Sequence, residues 1–370
     1  MVIAAHIPAT AGHNILLQSL HLLAAQHPEI SFLWIANEGV LPGPLPSNVH
    51  TVAIKPAINS SLRLQYWYRI KLSALLKKYK ASLFISPLCM RTAPKECLQW
   101  LWIDETAFLQ KHSHHRSAFK TYKRRQYKKM LQAANAVLPT AAFMMGQMEN
   151  HYGFKHPHPI AIGTAIGPQY QCIDSGDKAP LLAGISNDSE YFYFECDAAS
   201  AHRAIMVLKA FSLFKKRMKS GMKLLLFLDG VGLSDTVKDF HLYKYRHDVI
   251  VADAQSTYSR PMLMAAAHAV IWLPPAMDGL CDTGMAALQS GVALMITNDA
   301  DSRLHYGDAA LYTPCTAEAI GQNMMLLYKD ETLHRRLITR GLQWAADNSM
   351  DAFTRRLWQT ILGALPKKEE

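Results

Sequence analysis

Around residue 280 the sequence sets a carboxylate, a glycine and a helix start in succession: Asp278, Gly279, Leu280, Cys281, Asp282 and Thr283. A loop entering a helix N-terminus presents free backbone N–H groups and partial positive charge, which suits an anion such as phosphate. Gly279 admits a close backbone approach. Asp282 is also a strong N-cap residue, and as a cap its carboxylate competes for the same N–H groups. Asp278 with Gly279 equally reads as a turn pair. At the start of another predicted helix stand His202 and Arg203. Arg203 carries a permanent charge on a fork that can clamp phosphate through two bonds, and His202 is the weaker candidate beside it. A solvated helix start is the plainer role for both. Asp104 ends a predicted strand and either orients a ligand or caps the following segment.

A second group is defined by charge. Lys111–Lys129 holds eight Lys+Arg and no acid. Within it Lys120, Lys123, Arg124, Arg125, Lys128 and Lys129 are interleaved with Tyr122 and Tyr127. Such a stretch suits an anionic membrane, an anionic acceptor, nucleic acid or simply solvent. No RRM, helix-turn-helix or zinc-finger pattern accompanies it, which sets nucleic acid aside. His112, His114, His115, His156 and His158 lack ligand spacing with Cys or carboxylates, so no metal is expected.

The elements that must position these residues are legible as an alternation. Val2–His6, Ser31–Ala36, Val49–Ile54, Ser82–Ser86, Gln99–Ile103 and Ala136–Pro139 read as strands, with helices predicted over His13–Gln26 and Leu62–Tyr79. The pattern restarts with strands at Tyr191–Phe194, Met222–Phe227, Val249–Ala252, Ala269–Leu273 and Leu294–Thr297. Helices are predicted at Ala201–Met218, Ser259–His268, Asp282–Ser290, Ala317–Tyr328, Glu331–Asn348 and Asp351–Leu362. Alternation of this kind predicts an α/β chain of two doubly wound Rossmann-like domains facing a cleft. The Gly-, Pro- and Asp-rich stretch Ile166–Ala183 reads as the linker.

The chain has 370 residues, 39 Lys+Arg against 29 Asp+Glu, and 50% hydrophobic residues, which excludes a disordered chain. Residues 1–180 hold 19 Lys+Arg and 8 Asp+Glu, and residues 181–370 hold 20 and 21, so the positive excess belongs to the first half. Six scattered cysteines without a C-x-x-C pair fit a reduced compartment. The N-terminus makes a poor secretory signal, and the apolar stretch Met262–Met277 is interrupted by His268 and two prolines. A cytoplasmic protein without a spanning helix is expected.

From about Tyr191 to Leu362 the sequence resembles the retaining glycosyltransferases of group one, family four. The resemblance rests on YFYFECDAASAHRAIMVLKAFSLFKKR, on MLMAAAHAVIWLPPAMDGLCDTGMAALQSGVALMITN and on DAALYTPCTAEAIGQNMMLLYKDETLHRRLITRGLQWA. WIDETAFL and ANAVLPTAAFMMGQMENHYGF are similar to first-half motifs. The resemblance implies the glycosyltransferase B fold: an acceptor-side domain over 1–170, a donor-side domain over 180–350, and a final helix and tail over 351–370 that return to the first domain. It implies a nucleotide-diphosphate sugar as substrate, with no separate cofactor, and a glycan, lipid-linked or protein acceptor.

Residue by residue, the family's first Glu falls on Asp278, which would accept from donor-sugar hydroxyls. The second falls on Ala286, which cannot bind ribose. The Arg-Lys pair falls on Ala201 and His202, with Arg203 one position later. The His of the His-Asp motif falls on Ile103, and Asp104 remains. The Gly-rich loop is reduced to Gly12, beside His13, and the Ser ending a later first-half strand falls on Ala141. The resemblance thus places donor contacts at His202, Arg203 and Gly279 to Thr283, with Asp278 and Asp104 as catalytic candidates. In some members basic N-domain helices dock on membranes, which gives the basic stretch a peripheral place at the inner membrane face. The substitutions also motivate the alternative of a partner or scaffold that kept the fold and lost catalysis.

Overall fold

The computed structural model describes residues 1–7, 15–37, 41, 44–54, 66–87, 94–104, 128–129, 131–153, 158, 160, 162–198, 200–275 and 282–365. The chain divides into two units, Met1–Ala165 with Met350–Glu370, and Ile166–Met277 with Cys281–Ser349.

The first unit runs β1 (Val2–Ile7), α1 (Ile15–Gln26), β2 (Ser31–Asn37) and β3 (Val49–Ile54). A π-helical turn (Trp67–Leu72) then leads into α2 (Ser73–Lys78), followed by β4 (Leu83–Ser86), β5 (Leu98–Ile103), β6 (Ala136–Pro139) and α3 (Ala142–Tyr152). Its six strands are all parallel, in the order β3-β2-β1-β4-β5-β6. Parallel strands are covered on both faces, which is why they read as unbroken apolar runs rather than as alternation. Every residue of β4 and β6 is buried.

The second unit repeats the plan: α4 (Ser175–Ser186), β7 (Tyr191–Cys196), α5 (Ala201–Met218), β8 (Lys223–Leu228), β9 (Val249–Asp253), α6 (Arg260–Ala265), β10 (Ala269–Trp272), α7 (Asp282–Gln289), β11 (Ala293–Thr297), α8 (Ala300–Tyr306), β12 (Ala310–Thr313), α9 (Ala317–Lys329) and α10 (Glu331–Asp347). Its sheet is also parallel, in the order β12-β11-β10-β7-β8-β9. In both sheets the strand order reverses beside the unit's first strand, between β1 and β4 and between β7 and β10.

Each sheet buries a core on both sides. In the first unit Tyr68, Leu72 and Leu76 pack on Ala4, Leu33, Ile35 and Phe84. The opposite face meets α1 and a last helix, α11 (Met350–Ala364), which supplies Phe353, Leu357 and Ile361. The His27 and Trp358 rings stack with centroids 3.9 Å apart.

In the second unit Phe192, Phe194 and Cys196 meet Val207, Phe211 and Phe214 of α5, and Ile320 and Met324 of α9. Helices α5 and α9 approach closely because Gly321 has no side chain: a Cβ there would lie 3.1 Å from the Ala210 carbonyl oxygen. Gly321→Val is therefore expected to cost about 1–3 kcal/mol by overpacking, read as a lower denaturant midpoint. An unchanged midpoint would show that the helices separate freely.

One expectation is corrected. The stretch read as linker contains α4, which runs from Asp174 as N-cap to Asn187 in the left-handed region at φ 53°. Lys178 Nζ on α4 donates to the Ala267 carbonyl at 3.2 Å. The helix is mostly exposed and includes Pro180, so it carries no apolar stripe and its composition imitates a loop.

Candidate functional site

In doubly wound sheets ligands settle outside the strand carboxyl ends, where strand order reverses. In the second unit that place lies beyond β7 and β10. Helix α5 starts five residues after β7 ends, and the intervening loop is fastened to itself: Asp197 Oδ1 accepts from the Ser200 amide at 2.7 Å. Arg203 is the third residue of α5. Its Nη1 donates to the carbonyls of Leu273 at 2.9 Å and Pro274 at 2.8 Å, the two residues that follow β10. The same nitrogen lies 3.2 Å from Cys315 Sγ, just past β12. Arg203 therefore spans the reversal point and pins the loop that leaves β10. Burial pushes the Cys315 thiol up, with Arg203 opposing, so the sulfur is a protonated packing group rather than a thiolate nucleophile. His202 is exposed beside it.

Helix α7 opens at Asp282, and Thr283 in its first turn is buried at 7% exposure. A buried polar network holds this turn. Arg260, at the start of α6, donates from Nε to Glu195 Oε2 and from Nη2 to Glu195 Oε1, both at 2.9 Å. Its Nη2 also reaches Thr283 Oγ1 at 3.2 Å, and its Nη1 donates to the Tyr170 hydroxyl. Tyr193 donates to Glu195 Oε2 at 3.1 Å. Burial pushes the Glu195 carboxyl up, and the guanidinium pulls it back. The bidentate geometry is that of an ionised pair.

Close packing acts on the same turn. A Cβ at Gly284 would collide with the Tyr306 hydroxyl and lie 2.9 Å from the Trp272 ring. Ala286, where the resemblance puts a second carboxylate, is completely buried.

In the first unit the corresponding edge carries His6, near the end of β1. Its Nδ1 and the Tyr68 hydroxyl share a 2.6 Å hydrogen bond. Burial pushes this imidazole down to about 4, so it is neutral at pH 7. The π-helical turn containing Tyr68 is a form often found at functional positions. Asp104 follows β5 and is half-buried at this edge, where Thr140 bonds the neighbouring Ile103 carbonyl through its amide at 2.9 Å and its hydroxyl at 3.1 Å.

Of the residues singled out from sequence, Asp278, Gly279, Leu280, Cys281, Gly12, His13, Lys120, Lys123, Arg124 and Arg125 lie outside the described residues. Lys128 and Lys129 are exposed on a helical turn. Arg203 and Thr283 stand at one edge of the second sheet, and Asp104 belongs to the first unit. Glu195, Arg260 and Tyr170 escaped the sequence reading. The available signal was a Glu closing the apolar run of β7 and an Arg preceding Pro261 at a helix start. Among the described residues no three His, Cys, Asp or Glu side chains gather as a metal site, and no helix is long and apolar enough to cross a membrane.

No protein-family model and no curated protein sequence matches the chain. Solved structures do. A glycosyltransferase from Rickettsia africae ESF-5 is similar at 10% identity over 97% of each chain, with a TM-score of 0.70. A sucrose-phosphate synthase from Thermosynechococcus elongatus is similar at 12% identity over 98% of each chain, also with a TM-score of 0.70. HepE of Anabaena in complex with UDP is similar at 12% identity over 98% of this chain and 99% of that one, again with a TM-score of 0.70. At such identities the likeness speaks for the fold, and the two six-stranded parallel sheets with their flanking helices have the glycosyltransferase B fold.

Proposed function

We propose that the chain is a glycosyltransferase that moves a sugar from a nucleoside-diphosphate sugar, held by the second unit, to an acceptor met by the first. The observation that carries this reading is Arg203 spanning the reversal point of the second sheet, beside the strand that leads to α7. A fixed cation and the N–H groups of a helix start are what a departing diphosphate requires. Asp278 is assigned to donor-sugar hydroxyls and Asp104 to the acceptor side. Retention of anomeric configuration follows from the family-four resemblance. With Ala286 buried and carrying no carboxylate, ribose contacts must come from elsewhere.

HepE, of the same fold, was solved with UDP, which favours a UDP-sugar as the first donor to try. The basic stretch Lys111–Lys129 favours an anionic or lipid-linked acceptor reached at the cytoplasmic membrane face, as in envelope polysaccharide synthesis.

Calorimetric titration with UDP-, GDP- and ADP-sugars tests the reading. One donor is expected to bind, and Arg203→Ala to weaken it between about tenfold and a hundredfold, the range for hydrogen bonds to charged groups. Binding of no donor, or unaltered affinity in Arg203→Ala, would sink it.

A further inference from the structure

Arg260 has an arrangement that simple ion pairing does not require. Its side chain engages groups from three separate places in the second unit: Glu195 at the end of β7, Tyr170 in the segment that opens the unit, and Thr283 in the first turn of α7. Glu195 is spent wholly on this hub, since both its oxygens face the guanidinium and one also accepts from Tyr193. The far end of α7 is tied to the same opening segment: Gln289 Nε2 donates to the Tyr170 carbonyl at 2.9 Å. Tyr170 thus meets α7 at both ends, through its hydroxyl by way of Arg260 and through its carbonyl directly. From the other side Gly284 lets the first turn press against Trp272 and Tyr306.

A helix start binds an anion well only if its N–H groups keep one direction, because preorganised donors cost nothing to reorient when charge arrives. Arg suits such a post because its planar fork holds several acceptors at fixed angles, which Lys cannot do.

We propose that Arg260 is a positioning residue: anchored by Glu195 and Tyr170, it fixes the first turn of α7 through Thr283 and so sets the affinity for the diphosphate of the donor. The inference rests on the donor-binding reading above. It extends that reading to a side chain that acts through Thr283 rather than on the ligand.

The test uses the full chain with UDP as probe, or GDP or ADP if the donor survey selects that base. Arg260→Lys keeps a cation beside Glu195 and loses the fork. Thr283→Val removes only the hydroxyl acceptor, and Thr283→Ser restores it. Both Arg260→Lys and Thr283→Val are expected to weaken nucleoside-diphosphate binding about tenfold and to speed amide hydrogen exchange over Ala286–Gln289, whose N–H groups bond back to the carbonyls of the first turn. The double variant should be no worse than either single one, because residues in one hydrogen-bond network are non-additive. Thr283→Ser should bind as the parent does.

Additive losses would overturn the inference, since they mean that Thr283 meets the ligand independently of Arg260. Unchanged affinity with a lowered melting temperature would also overturn it by showing a purely structural role. If the parent protein binds no nucleoside diphosphate, the donor reading fails, and with it the ligand half of the inference. The exchange rates then decide the positioning half alone: faster exchange in both variants upholds it, and parent-like exchange overturns it.

Discussion

Lowering the pH from 7 to 5 is expected to remove about 2 kcal/mol of stability for each of two histidines, the buried His6 and the half-buried His305. His6 and His305 are both pushed by burial from 6.5 down to about 4. The sign follows from which state binds the proton. Above pH 6.5 the imidazoles are neutral in both folded and unfolded chains, and the groups are silent. Between 6.5 and about 4 the unfolded chain takes up protons that the folded one refuses, so stability falls as the medium is acidified. The loss levels off below about 4, where each group has cost about 3 kcal/mol.

His6→Gln keeps a partner for Tyr68 without titrating, and His305→Gln removes the other charge change. Urea unfolding across this pH range should show a flatter profile for each variant and the flattest for the pair. If the parent and both variants keep parallel profiles, the histidines are not the source of acid sensitivity.

The second large effect belongs to Glu195. Removing its carboxylate strands a guanidinium that is only 22% exposed. Breaking a buried pair from one side costs about 3–5 kcal/mol, because the remaining charge keeps its desolvation penalty. Tyr170 and Thr283 still accept from Arg260, so Glu195→Ala is expected near the lower end, at about 3 kcal/mol. Glu195→Gln retains one acceptor and should lose less. Joint replacement of Glu195 and Arg260 by Leu and Met should recover part of the loss, since an apolar pair of similar volume leaves no orphaned charge. A loss below about 1 kcal/mol for Glu195→Ala, the value of exposed pairs, would show that water reaches the site and screens the pair.

How far the sequence discloses this molecule depends on whether the information is local. The buried parallel strands are legible because each is a short apolar run, as in β7 and β8, and α9 because its core-facing residues recur at helical spacing. Helix α4 is hidden by its exposure and by Pro180, and α8, seven residues long, offers too few turns for a period to register. Within the candidate site, Arg203 and Thr283 stand out because each opens a helix beyond an apolar strand. Arg260 does not, because its partners lie 65 residues before it, 90 residues before it and 23 residues after it. No periodicity or spacing rule joins positions so far apart. The substitution at Ala286 is legible as a lost carboxylate, but only the structure shows that the position is fully buried, where a charge would need a partner.

The place of α11 bears on how the protein is made. The sheet of the first unit is covered on one side by Phe353, Leu357 and Ile361, which leave the ribosome after the whole of the second unit. At synthesis rates of roughly 5–20 residues per second, the gap between Ala165 and Met350 amounts to roughly 10–40 s. For that interval the apolar face formed by β1, β2 and β5 has α1 but lacks the rest of its native cover, and the part left for Phe353, Leu357 and Ile361 stands open to chaperones or to neighbouring nascent chains. The second unit has no such wait, because its own helices follow its strands directly. The vulnerable period in the life of this protein therefore comes before its last fifteen-residue helix is synthesised.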